Sequence, residues 1–228
     1  MSVDDHKRAA GAAAAALVKD GMTVGLGTGS TAAFFVEALA ARKLTLKCVA
    51  TSEATAALAI SLGLVVIDLD DAETIDLTVD GADEIGPGLV LIKGAGAALL
   101  REKLVWEASA HCVTIADAAK LGHEFGAAYP LPVEVVTFGH VSTARRLAAV
   151  LRQLGITAAP VLRVKDGATV RTDSGNVIYD VTCGAITDPE TLGKALKAVT
   201  GVVEHGLFLG LAATALIGTD DGVKTLTP

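Results

Sequence analysis

MTVGLGTGSTAAFFVEALAAR, residues 22–42, decides the fold class. The apolar Met22–Val24 reads as a strand, Gly25–Thr31 as a glycine-rich turn, and the stretch after it as a helix. Ser30 or Thr31 falls in the first turn of that helix, where backbone N–H groups have no partner within the helix. Those donors, the positive end of the helix dipole and the hydroxyls of Thr28, Ser30 and Thr31 suit a phosphate, and the glycines of the turn let the main chain come close to it. The spacing matches neither GxGxxG nor GxxxxGK[ST], so it indicates neither a dinucleotide nor a Walker-type nucleotide. An ordinary strand-to-helix turn capped by Ser or Thr is the competing reading.

The same rhythm repeats outward from this unit. LTLKCVAT (44–51) reads as a strand and SEATAALAISL (52–62) as a helix capped by Ser52. LVVIDL (64–69), IDLTVD (75–80) and HCVTIA (111–116) read as strands, with a helix over AALLREKLVWEAS between the last two. The alternation predicts an α/β fold, a mainly parallel sheet with helices on both faces. Ligands of such sheets gather beyond the C-terminal strand ends, where GLGTGST, VATSE and TVDGADE lie. The two prolines of YPLPVEV (129–135) mark a boundary. Beyond it a strand at 133–138, a helix near 141–154, strands near 159–164, 168–172 and 177–182, and a helix at 188–199 predict a smaller α+β domain over 130–201. The larger α/β domain takes 1–129 with 202–228. A helix is expected from Asp4 to Lys19, ending before Gly21. GLFLGLAATALIG (206–218) is too short to span a bilayer and reads as a buried helix.

Composition bounds the function. The 228 residues are 51% hydrophobic but only 4% aromatic, and the formal net charge is −7. A diffuse negative field argues against nucleic acid and anionic membranes as partners, and requires any phosphate site to be locally basic. Cys48, Cys112 and Cys183 are far apart and read as small buried hydrophobes in a reducing, cytoplasmic compartment. The N-terminus does not read as a signal peptide. His6, His111, His123, His140 and His205 show no HxH, HxxxH or HExxH spacing, so no metal is expected.

Three further segments carry chemistry. VDGADEI (79–85) sets Asp80 and Asp83 around a Gly81–Ala82 turn at a strand end. Two neighbouring carboxylates repel, which suits one of them to proton shuttling, although Asp and Gly also simply build turns. In IKGAGAALLREK (92–103), Lys93 could neutralise an oxyanion and Gly94–Gly96 could offer N–H donors. Glu102 then reads either as a general base or as half of a surface ion pair with Arg101 or Lys103. Lys120, in ADAAK (116–120), and Lys7 are candidate phosphate contacts or solvated surface lysines.

Taken together, GLGTGSTA, TSEAT, DLTVDGADEI, LIKGAGAALLREK, IADAAKLG, TDSGNVIYDV, TDPETLGKAL and GVVEHGLF resemble the ribose-5-phosphate isomerase A family, in order and over nearly the whole chain. The resemblance implies interconversion of ribose 5-phosphate and ribulose 5-phosphate in the pentose phosphate pathway, without cofactor or metal. It makes Glu102 the base that moves a proton between C1 and C2. Asp80 and Asp83 then assist ring opening and proton transfer at the sugar oxygens, and Lys93 stabilises the enediolate. It places substrate, the phosphate especially, on Lys7, Thr28, Gly29, Ser30, Thr31 and Lys120, with Gly81, Ala82, Gly94, Ala95 and Gly96 also lining the sugar. It implies a homodimer or homotetramer. Two departures stand out. KGAG replaces the usual KGGG, so the methyl of Ala95 challenges the turn if that position needs positive φ. Leu100 replaces a residue that is often polar. The alternatives are a non-catalytic sugar-phosphate sensor and a CoA transferase or amino-sugar deaminase on a related fold.

Overall fold

The computed structural model describes residues 1–122 and 124–228; His123 lies outside them. The chain opens with α1 (Val3–Leu17), where Ser2 accepts the Asp5 N–H and the Asp5 carboxylate accepts from Ser2, a reciprocal cap. β1 (Thr23–Leu26) leads into α2 (Ser30–Ala41), and β2 (Lys47–Ala50) into α3 (Glu53–Ser61), which Ser52 caps. Next come β3 (Leu77–Gly81), β4 (Glu84–Ile85), β5 (Leu91–Ile92), α4 (Leu99–Glu107) and β6 (Cys112–Asp117). They are followed by β7 (Leu131–Val135), α5 (His140–Gln153), β8 (Val161–Leu162), β9 (Val164–Lys165), β10 (Ala168–Thr169) and β11 (Val177–Val181). α6 (Pro189–Lys197) starts at the cap Asp188 with Pro189 at its first position, where a missing N–H costs nothing. The chain ends in β12 (Val202–His205), β13 (Leu207–Phe208), β14 (Thr214–Thr219) and β15 (Gly222–Leu226).

These elements form two compact units. One comprises Met1–Ala82, Arg101–Lys120 and Gly210–Pro228; the other comprises Asp83–Leu100 and Leu121–Leu209. Residues 83–100, 121–129 and 202–209 therefore group with 130–201.

In the first unit six strands run in the order β15-β14-β6-β3-β1-β2. All neighbours pair in parallel except β14 with β15. Val24, Leu26, Val79 and Ile115 are fully buried in the sheet, against Ala10 and Ala14 of α1 and Phe35 and Leu39 of α2. The small side chains of α1 leave room for this close packing. Because β1, β3 and β6 are adjacent and parallel, their C-terminal ends carry Gly27–Thr31, Asp80–Ala82 and Ala118–Lys120 to one edge of the sheet.

The second unit contains an antiparallel sheet, β12-β7-β11-β8, and a small one, β13-β5-β4. Period-2 alternation splits the faces of the larger sheet. Leu131, Val133, Val135, Val177, Tyr179 and Val181 pack in the core with Leu147 and Leu151 of α5 and Leu192 and Leu196 of α6. The alternate positions Pro132, Glu134, Ile178 and Asp180 therefore occupy the other face.

Two sequence expectations fail. Residues 206–218 are not a helix: they form β13, a break around Gly210, and β14. β14 pairs with β6 on one side and β15 on the other, and a strand buried in that way is apolar throughout, like a buried helix. Residues 64–69 form no strand beyond a single parallel bridge from Val66 to Cys48, and Leu69–Asp71 is a 3₁₀ turn. No helix among the described residues is long and apolar enough to cross a membrane.

Candidate active site

The first unit holds the candidate phosphate site. The N-terminal cap of α2 is Gly29, with φ 108°, and no side chain caps the helix. The competing Ser/Thr-capped turn is thus absent, and the first N–H groups of α2 stay open to a ligand. Lys7 reaches this end from α1, its ammonium donating to the Ser30 hydroxyl over 3.1 Å. Thr31 lies beside Gly81. Thr28 is used differently. Its hydroxyl meets those of Thr51 at 2.7 Å, Ser52 at 2.8 Å and Thr55 at 3.3 Å, while Thr55 donates back to the Gly27 carbonyl. The hydroxyl therefore braces the turn from beneath. Sequence reading named TSEAT as a motif but missed this structural role. Lys120 ends the 3₁₀ turn that follows β6.

Asp80 is fully buried at the end of β3. Its Oδ1 accepts the Thr28 N–H at 3.0 Å and the Gly81 N–H at 2.7 Å. A Cβ on Gly27 would lie 2.1 Å from that same oxygen, so glycine there is what lets the turn close on the carboxylate. The REK run contains a second buried acid. Glu102 is 3% exposed on α4, whereas Arg101 turns to Glu53 at 3.6 Å. That burial removes the ordinary reading of Glu102 as a solvated surface residue.

The second unit builds the other turn. Asp83 and Lys93 flank the antiparallel pair of β4 and β5, and the Asp83 N–H donates to the Ile92 carbonyl. The Lys93 ammonium is buried, 5.4 Å from the centroid of the Phe208 ring, where the ring face favours a cation. Asp83 accepts the Ala95 N–H at 2.8 Å. Each aspartate of DGAD thus binds the backbone of one glycine-rich turn: Asp80 binds that of 25–31 and Asp83 that of 93–96. The turn's positive-φ residues are Gly94 at 112° and Ala97 at 59°. Ala95 is not among them, so its methyl does not strain the backbone.

A model of the family described as ribose 5-phosphate isomerase A (phosphoriboisomerase A) matches residues 47–222. The chain belongs to that family. The ribose-5-phosphate isomerase A of Caulobacter sp. (strain K31) is 63% identical over 228 residues, covering all of both chains. Among solved structures, the ribose 5-phosphate isomerase from Plasmodium falciparum is 36% identical with a TM-score of 0.93, over 99% of each chain. A D-ribose-5-phosphate isomerase in complex with phospho-erythronic acid is 33% identical with a TM-score of 0.92, over 100% of each chain.

The cysteines and several histidines of this member of the ribose 5-phosphate isomerase A family are occupied elsewhere. Burial pushes the thiols of Cys48 and Cys183 up to about 11 and that of Cys112 to about 12, so none is a ready nucleophile at neutral pH. His6 pairs with Asp220 and His140 with the Tyr179 hydroxyl. Among the described residues no group of three or more His, Cys, Asp or Glu could hold a metal. Sequence reading missed Arg163 and Asp180 entirely. They form a fork-to-carboxylate pair whose guanidinium also reaches the 93–96 turn. A lone Arg in VLRVK carries no signal for such a contact.

Proposed function

We propose that the chain interconverts ribose 5-phosphate and ribulose 5-phosphate through an enediolate, with Glu102 as the base. The burial of the Glu102 carboxylate on α4, beside the likewise buried Lys103, is the observation that carries this reading. The phosphate sits on the open N-terminus of α2, with Ser30, Thr31, Lys7 and Lys120 as its partners and Gly29 giving it close approach. Asp80 and Asp83 assist ring opening and move protons between sugar oxygens, beside Gly81 and Ala82. Glu102 takes the C2 proton. The C1 carbonyl electrons move onto O1, where Lys93 and the Gly94–Gly96 turn meet the developing charge. Glu102 then returns the proton to C1, while the proton leaving O2 passes by way of the aspartates to O1, so that C2 becomes the carbonyl and O1 a hydroxyl. Phosphate binding is remote from the reacting carbons, so its energy can be spent on positioning them. The solved complex with phospho-erythronic acid supports the substrate class, since that acid shares a phosphorylated polyol backbone with the sugar. A homodimer or homotetramer working in the cytoplasm belongs to the same reading.

The test is Glu102→Gln, which keeps shape and hydrogen bonding but cannot accept the proton. The expected result is a fall in kcat of roughly 10³-fold or more with KM little changed, as for a group acting in the transition state. Near-normal turnover would remove Glu102 from the mechanism. A wild-type chain that releases ammonia from an amino sugar or exchanges a thioester, and forms no ketose from ribose 5-phosphate, would instead favour the related deaminase or transferase chemistry.

A further inference from the structure

The turn that meets the oxyanion is clamped by a residue no motif contains. Arg163, between β8 and β9, donates from Nη1 to the Gly94 carbonyl at 2.7 Å and to the Ala95 carbonyl at 3.2 Å. Its other face forks onto Asp180, with Nε to Oδ2 at 2.8 Å and Nη2 to Oδ1 at 2.5 Å. Both side chains are mostly buried, 15% and 23% exposed. Asp180 lies on the non-core face of β11, opposite Pro132 of β7. Backbone bonds fix the clamp in turn: the Arg163 N–H donates to the Ile178 carbonyl and the Arg163 carbonyl accepts from Val170.

The consequence follows from peptide geometry. A trans peptide is planar, with its N–H pointing opposite to its C=O. The Gly94–Ala95 peptide is held at both ends, its carbonyl by Arg163 and its N–H by Asp83. The next peptide has its carbonyl on the same Nη1, so its N–H, that of Gly96, must point away from the guanidinium. Gly96 is exposed, so that donor is open to a ligand. The planar fork of arginine meets two carbonyls and a carboxylate together; a lysine ammonium in the same place has no such shape.

We infer that Arg163, oriented by Asp180, is a positioning residue for the isomerisation: it aims the Gly96 N–H at the developing enediolate oxygen. This role rests on the isomerase reading above. Oxyanion donors act only if they are in place before the charge develops, and the phosphate is held by other residues. The effect should therefore fall on kcat and spare KM.

The experiment measures kcat and KM for ribose 5-phosphate in the wild type, Arg163→Lys, Arg163→Ala and Asp180→Asn, with thermal melting of each. Arg163→Ala should lose roughly 10- to 100-fold in kcat, the scale of a small misplacement at a reacting centre, with KM within about threefold. Added guanidinium ion should restore part of that kcat, and sodium chloride at equal ionic strength should not. Arg163→Lys and Asp180→Asn should move kcat in the same direction while melting near the wild type. If Arg163→Ala fails to fold, Arg163→Lys decides by the same criteria. A kcat within about threefold of wild type in Arg163→Lys, or a loss confined to KM, would overturn the positioning role while leaving the isomerase reading intact. A wild-type chain without turnover of ribose 5-phosphate would overturn both.

Discussion

Gly27 has no room for a side chain, and the reason is a single oxygen. Asp80 Oδ1 takes two backbone N–H groups, and a Cβ at Gly27 would stand 2.1 Å from it. Gly27→Ala must therefore displace the carboxylate or the turn. Overpacking of this kind costs about 1–3 kcal/mol, and kcat should fall along with the melting temperature. A variant that melts and turns over as the wild type does would mean that Asp80 tolerates displacement. The opposite expectation holds at Ala95. The left-handed positions of its turn are Gly94 and Ala97, so Ala95→Gly relieves nothing and only frees the unfolded chain. Urea unfolding should show a loss of about 0.4–1 kcal/mol; a gain would place hidden strain at Ala95. The motif residues were legible because their chemistry is local in sequence: a cap, a turn, an acid at a strand end. Arg163 was not legible. Its partners lie 17, 68 and 69 positions away, and nothing in VLRVK distinguishes it from a surface strand arginine.

At the scale of elements, the second unit's larger sheet buries an acidic residue. Glu134, on β7, is fully buried. Its Oε1 accepts from the Thr172 hydroxyl at 2.8 Å and the Asn176 amide at 2.9 Å. Burial pushes its carboxyl above the usual carboxylate range; Thr172, Asn176 and the Leu100 N–H in the first turn of α4 oppose that shift, and Glu204 adds to it. The folded state thus holds this proton more tightly than the unfolded chain. The stabilising contribution is fully present below the ordinary glutamate pKa and is lost as pH rises through the raised folded value. Glu134→Gln cannot ionise and escapes that loss. Its stability relative to wild type should grow between mildly acidic and neutral pH, as read from melting temperatures across a pH series. A constant difference would show that Glu134 titrates as it does in the unfolded chain. Sequence patterning located most elements, since strand, turn and cap residues recur at regular intervals. It failed at 206–218, where a strand paired on both sides is as apolar as a buried helix. It also failed at 64–69, where apolar residues make one bridge at the edge of the sheet.

The whole molecule carries a formal charge of −7, yet its proposed substrate is a phosphate ester. In the proposed site the conflict would be resolved locally. The N-terminus of α2 and the turn that carries Lys120 leave the same end of the sheet, because β1, β3 and β6 are adjacent and parallel, and Lys7 reaches the α2 end from α1. Helix N–H groups supply partial positive charge, and the two lysines supply full charges. Removing one charge-assisted contact should cost about 1.5–3 kcal/mol, or roughly 10- to 150-fold in affinity. The loss must follow the phosphate and not the sugar. Lys120→Ala should therefore lower kcat/KM for ribose 5-phosphate and weaken inhibition by inorganic phosphate, while barely changing any residual turnover of unphosphorylated ribose. Lys7→Ala should behave alike, with a further effect through the Ser30 hydroxyl it now holds. Measuring kcat/KM for both sugars in each variant separates the possibilities. An equal loss for ribose and ribose 5-phosphate would move that lysine to the sugar end or to the fold. The phosphate would then rest on the helix terminus alone, and the negative field of the chain would be opposed by partial charges only.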